Sequence, residues 1–190
     1  ILDAWKSADA MHVITKLGHD FFTKVLSIPI YYTHVGRPQF GNWKWPNPMD
    51  FDSRNGVVFV RHTNLPSIIF ELELIRDLNL KAIGIDSNPD AKGWLEQQAQ
   101  CLRVEGQFFN RLDFNRYLKI SNLARLGIEN HLGPSRFSYE MALMDLPVVH
   151  SEKSEYGNII WPKLTAKSGN KRSFREKIKL LNDETFYRRV

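Results

Sequence analysis

The chain has 190 residues, 26 basic against 21 acidic side chains, a net charge of +5, 43% hydrophobic residues and one cysteine. Such a chain can bury a core without a metal or disulfide staple, which excludes wholesale disorder, a cysteine-rich zinc module and a disulfide scaffold. No apolar run approaches the roughly 20 residues of a membrane-spanning helix, so no membrane partner is expected, and the lone Cys101 fits a reducing compartment.

The chain opens at Ile1 with no basic-then-apolar leader, so any targeting peptide lies outside this numbering or has been removed. Over residues 7–26, Ser7 can cap a helix in which Ala10, Val13, Ile14, Leu17, Phe21 and Val25 recur at helical spacing. Ile28 to Thr33 is a β-branched and aromatic run that reads as a strand, and the segment to Pro48 is a loop broken by Gly36, Pro38, Gly41, Pro46 and Pro48. Val57 to Val60 is continuously apolar, as in a strand covered on both faces, and its neighbours are expected to be parallel.

Asn64 and Pro66 then open the clearest helix, with Leu65, Ile68, Ile69, Leu72, Ile75 and Leu78 on one face. Lys81 to Ile85 is a second buried strand, closed by the turn residues Asp86 to Asp90; strand, helix and strand make a βαβ unit. A short strand is predicted at Cys101 to Val104, and a helix from about Asp113 to Leu126 that Gly127 stops. The fold expected is α/β: a parallel sheet flanked by helices, flavodoxin-like, over residues 1–127. Residues 128–190 read as a basic C-terminal extension, with apolar patches at 141–149 and 158–161 and a helix from Ser173 to Leu181.

In such a sheet ligands bind at the carboxyl ends of the strands, which directs attention to Arg61, His62, Thr63, Asn64 and to the turn from Asp86 to Asp90. No G-x-G-x-x-G, G-x-x-x-x-G-K-[ST] or G-x-S-x-G motif is present, so no cofactor is assigned. The six histidines lack metal-ligand spacing, so no metal is assigned; Cys101 reads as a small buried hydrophobe, and Asp86 and Asp90 as turn formers.

Two segments read as RNA-binding. The loop over 31–48 interleaves Arg37 and Lys44 with Trp43 and Trp45, pairing faces that stack on bases with cations that meet phosphate. Across 163–179, Lys163, Lys167, Lys171, Arg172, Arg175, Lys177 and Lys179 are accompanied by one acid, Glu176, a density that suits a polyanion.

The order of these signals resembles the small-subunit ribosomal protein S-two family. Phe40-Gly41-Asn42 stands where that family has an L-T-N or F-T-N tripeptide, Val57 to Val60 where it has a V-F-V strand, and Asp86-Ser87-Asn88-Pro89-Asp90 where it has a D-T-N-x-D-P turn. Val104 to Gln107 is a weak counterpart of its I-P-x-N turn. The family's helical hairpin is missing between Pro46 and Asn55, and its N-terminal F-G-H segment has no counterpart. The resemblance implies a non-catalytic constituent of the small ribosomal subunit that binds ribosomal RNA and neighbouring ribosomal proteins between head and body. A separate chain could supply the missing N-terminal part, and losses of this kind imply a mitochondrial ribosome. The alternative is an α/β enzyme acting on a nucleotide or RNA substrate through the 62–64 and 86–90 turns; a third reading is a protein-binding module whose tail docks on an acidic partner.

Overall fold

A computed structural model of the protein describes residues 11–13, 16–32, 46–47, 49–61, 65–86, 93–130 and 136–190. The chain divides into two compact units, Ile1–Gly41 and Asn42–Val190. In the first, β1 (Met11–Val13) pairs in parallel with β2 (Ile30–Tyr32), Met11 facing Ile30, and α1 (Lys16–Val25) connects them. The helix predicted over 7–26 is therefore shorter, since residues 11–13 are extended and bonded to β2. The strand predicted from Ile28 is present over its central residues.

The second unit is built on a six-stranded, wholly parallel sheet. Its strands are β3 (Val57–Arg61), β4 (Ala82–Asp86), β5 (Gly106–Phe109), β6 (Leu126–Glu129), β7 (Val148–Ser151) and β8 (Thr165–Ala166). Between them run α2 (Leu65–Asp77), α3 (Trp94–Cys101), α4 (Phe114–Ser121), α5 (Phe137–Ala142) and α6 (Glu155–Ile160), and after β8 come α7 (Lys171–Leu180) and α8 (Glu184–Tyr187). The spatial order is β5-β4-β3-β6-β7-β8. Chain direction across the sheet thus reverses once, between β3 and β6, which is the doubly wound order of a Rossmann-like domain rather than that of a flavodoxin.

The βαβ unit stands as the apolar pattern predicts. Val57, Val58 and Phe59 are fully buried, Val58 faces Ile83 and Val60 faces Ile85 in parallel register, and α2 packs on β3. A sheet covered by helices leaves short strands no solvent face, so they lack polar alternation.

Further along, local reading and structure part company. Cys101 ends α3 and is exposed, contrary to the buried strand expected at 101–104, and the strand itself begins at Gly106. Asp113 caps α4 by accepting a bond from the Arg116 N–H at 2.9 Å, but the helix stops at Ser121. Gly127 is not its terminator: it lies inside β6, where a Cβ would stand 3.0 Å from the Phe137 ring and from Val148. Residues 128–190, expected as an extension, complete β6, supply β7 and β8, and bury Phe174 and Ile178 of α7 in the common core. Phe174 meets Phe70 of α2 edge-on, ring centroids 5.1 Å apart, so α2 is covered by another helix as well as by the sheet.

Candidate functional site

The reversal between β3 and β6 places their carboxyl ends side by side, and a crevice at such a point is where doubly wound sheets take ligands. Of the residues following β3 and β4, 62–64 and 87–92 lie outside the described residues, as do 131–135 after β6. The turn residues His62, Thr63, Asn64 and Asp90 proposed from sequence are therefore not placed. Asp86, at the end of β4, is 1% exposed.

The described part of the site is a buried polar cluster around the end of β6. Glu129, 3% exposed, accepts hydrogen bonds at Oε2 from the hydroxyls of Ser138 at 2.6 Å and Ser154 at 2.9 Å. Ser138 lies at the start of α5, and Ser154 is the N-cap of α6, where its Oγ also accepts from the Gly157 N–H. One carboxylate oxygen thereby ties two helix starts to the end of the strand. The other, Oε1, is shielded from solvent and has no hydrogen-bond partner among the described residues.

Beside it, Asn130 donates its backbone N–H to Glu71 Oε1 at 2.9 Å, accepts from Ser67 at its carbonyl oxygen and accepts from the Gly169 N–H at its side chain. Burial in α2, reinforced by the nearby Glu129 and only partly offset by the Asn130 bond, pushes the Glu71 carboxyl up to about 8. On α5, burial also raises Glu140, against the Tyr117 hydrogen bond and the Arg136 guanidinium at 3.8 Å, which favour its charge. Tyr117 itself is raised well above its ordinary value by burial and by the Glu140 carboxylate it faces. Across β7, His150 is fully buried with Nδ1 and Nε2 each 3.0 Å from a carbonyl oxygen, of Ser151 and Trp161. Among the described residues no three histidine, cysteine, aspartate or glutamate side chains group as metal ligands.

Cations stand along the same edge of the sheet. Arg136 opens α5, Lys153 follows β7 and Lys167 follows β8, each in a loop beyond a strand's carboxyl end. The edge thus offers buried carboxylates, which accept from hydroxyls, next to exposed cations, which meet phosphate.

Of the RNA-binding set read from the sequence, only the members in the C-terminal stretch lie within the described residues. Arg37, Trp43, Lys44 and Trp45 lie outside the described residues. Lys171 pairs with Glu73 at 2.8 Å, Arg175 with Asp77, and Arg172 with Glu176 at 3.1 Å, while Lys177 donates to the carbonyl oxygen of Lys163 at 3.0 Å. Acids on α2, distant in sequence, meet two of the cations that had only Glu176 nearby along the chain.

The polar cluster was missed in the sequence, although Glu71 falls three residues after Ile68 and four before Ile75, on the apolar face. An acid on such a face is a signal of a buried polar group. Glu129, closing the short run Leu126 to Ile128, is a second.

Comparison with protein-family models gives no match, and comparison with curated proteins gives none either. Comparison with solved structures gives glycosyltransferases. The chain is similar to TarM of S. aureus, crystallised with UDP, at a TM-score of 0.70 and 12% identity over 95% of this chain and 38% of that one. A glycosyltransferase from Rickettsia africae aligns at 0.70 and 9% identity over 98% and 58% of the two chains. HepE of Anabaena, in complex with UDP and glucose, aligns at 0.61 and 14% identity over 95% and 56%. At these identities the likeness establishes the fold. The chain spans between 38% and 58% of the length of these structures.

These neighbours overturn the ribosomal reading. The resemblance to the S-two family rested on short tripeptides and turns whose order any βαβ unit of similar length can reproduce, whereas the structural alignment takes in nearly the whole chain. Ribosomal RNA, neighbouring ribosomal proteins and a separate chain completing a ribosomal protein go with it as partners, and so does the expectation of a protein without catalytic activity. The mitochondrial expectation derived from that resemblance alone. Of the sequence readings, the neighbours favour the alternative, an α/β enzyme on a nucleotide substrate.

Proposed function

We propose that this chain is the nucleotide-sugar-binding portion of a glycosyltransferase. The observation that carries the reading is the edge at the β3–β6 reversal, where buried carboxylates and exposed cations adjoin in a fold aligned with UDP-bound glycosyltransferases. In glycosyl transfer the bond from the sugar's anomeric carbon to the nucleotide's phosphate oxygen breaks as an acceptor oxygen attacks that carbon, so negative charge grows on the leaving diphosphate. Cations there stabilise the departing group. Arg136, Lys153 and Lys167 are the described side chains placed for that role, and the carboxylates around Glu129 suit the hydroxyl-bearing part of the donor.

Titration calorimetry and thermal melting of the chain with UDP, ADP and GDP test this. Saturable binding of UDP, with a melting temperature that rises with ligand concentration, is expected. Absence of binding by all three overturns the reading.

A further inference from the structure

The opposite edge of the sheet holds a cavity of about 330 Å3, within the roughly 300–1,000 Å3 of small-molecule sites. Its walls come from residues that precede the strands: Phe51 and Arg54 before β3, Asp145 before β7 and Trp161 before β8, with Tyr187 and Arg188 from the end of α8. It therefore lies at the amino ends of the strands, away from the crevice at the β3–β6 reversal.

Arg54 is 4% exposed, and three acceptors without formal charge fix its guanidinium: the carbonyl oxygens of Met144 at 2.6 Å and Asp145 at 2.7 Å, and the Tyr187 hydroxyl oxygen at 3.1 Å. Tyr187 spends its own proton on the Arg125 carbonyl oxygen at 2.6 Å, which leaves its lone pairs for Arg54. No carboxylate among the described residues is ion-paired with Arg54, and its Nε–H has no acceptor among them. Trp161, 8% exposed, likewise carries an indole N–H with no acceptor among the described residues. A buried cation without a counter-ion and a buried donor without an acceptor each destabilise a fold, and two such groups lining one cavity point to something that completes both.

The chemistry of the walls restricts that ligand. Both orphan groups donate, so the completing group must accept, and the buried positive charge calls for a negative one. Arg125, stacked on Phe51 with its guanidinium carbon 3.9 Å from the ring centroid, adds a second positive charge behind that wall. Exposed carboxylates of Asp50 and Asp145 also border the cavity, and they oppose a doubly charged phosphate more than a singly charged carboxylate. The rings of Phe51 and Trp161 offer apolar surface to the rest of the molecule.

We propose that this cavity is a second binding site, which takes a small apolar monocarboxylate with its carboxylate set against the Arg54 guanidinium and the Trp161 indole N–H. The site is independent of the nucleotide-sugar reading and stands whether or not the chain binds UDP.

Titration calorimetry of the chain with benzoate tests this, with benzamide and inorganic phosphate alongside. Benzamide keeps the ring and an acceptor oxygen but lacks the charge, so the pair reads the contribution of Arg54 without altering it. Saturable binding of benzoate is expected, at least about ten-fold tighter than that of benzamide, as for a hydrogen bond to a charged group. Trp161→Phe removes the indole N–H and keeps the backbone carbonyl that meets His150, and a roughly ten- to a hundred-fold weaker affinity for benzoate is expected. If that variant fails to fold, Asp50→Lys serves instead, since Asp50 is exposed and its side chain makes no capping bond. Loss of its negative charge is expected to tighten benzoate binding roughly two- to five-fold, the scale of an exposed ion pair. No saturable binding of benzoate, equal affinity for benzamide, or an affinity that the variant leaves unchanged overturns the proposal. Phosphate binding as tightly as benzoate overturns the assignment to a monocarboxylate.

Discussion

Lys171, at the start of α7, lies 2.8 Å from Glu73 on α2, although the two belong to opposite ends of the sheet domain in sequence. Arg175 repeats the contact one turn later with Asp77, whose carboxyl is held below its ordinary value first by Arg76 and then by Arg175. Both pairs are partly exposed, and such pairs contribute little individually. A double-mutant cycle on Lys171 and Glu73, read by urea unfolding, is expected to give a coupling of about 0.2–1 kcal/mol that shrinks as salt is raised. A coupling independent of salt would show that something other than the ion pair joins α2 to α7.

Phe174 is the apolar counterpart of that contact, fully buried and edge-on to Phe70. Phe174→Ala is expected to destabilise the domain by about 3–5 kcal/mol, the range for a deleted core phenylalanine. Chemical denaturation measures it. A change below about 1 kcal/mol would mean that α7 is an appendage and not part of the core.

Glu71 makes stability depend on pH. The folded protein keeps this proton to about pH 8, whereas an exposed glutamate loses it near 4.5. Its folded value being raised, Glu71 imposes no penalty below pH 4.5. The folded state is then disfavoured progressively as pH rises toward 8, by at most roughly 1.4 kcal/mol per pH unit. Glu71→Gln keeps an oxygen for the Asn130 N–H and has no proton to lose. Melting curves from pH 5 to 8 are expected to show the variant gaining on wild type as pH increases; parallel curves would place Glu71 in a solvated environment.

Gly157 lies under the imidazole of His150, and a Cβ built there would overlap the ring atoms Cγ and Nδ1. Because His150 is fully buried and faces carbonyl oxygens through both ring nitrogens, it has little room to yield. Gly157→Ala is expected to lower stability by about 1–3 kcal/mol despite the higher helix propensity of alanine. An unchanged or raised melting temperature would mean that α6 does not rest on His150.

Legibility from sequence followed the distance over which each element finds its partners. Residues 57–86 were readable because their burial pattern is local: Val57 to Val60 and Ala82 to Ile85 are unbroken apolar runs, and α2 carries its stripe at helical spacing. The carboxylate cluster was written in the same stretch, as Glu71 among isoleucines, but a single acid on an apolar face does not say which groups will surround it. Asn130 and Glu129, which do, come from a strand more than fifty residues later.

The chain alone therefore settles an α/β class, a parallel βαβ unit and the absence of a glycine-rich phosphate loop, because hydrophobic spacing and motif content are properties of neighbouring residues. Strand order, the membership of β7 and β8 in the sheet, the pairing of the basic helix with α2 and the convergence of Glu71, Glu129, Ser138 and Ser154 were decided in three dimensions. β7 and β8 are too short to declare themselves, and they are strands because the edge of β6 offers hydrogen bonds to β7 and β7 in turn offers them to β8. A buried carboxylate, likewise, acquires its chemistry from the donors and charges that the fold sets against it.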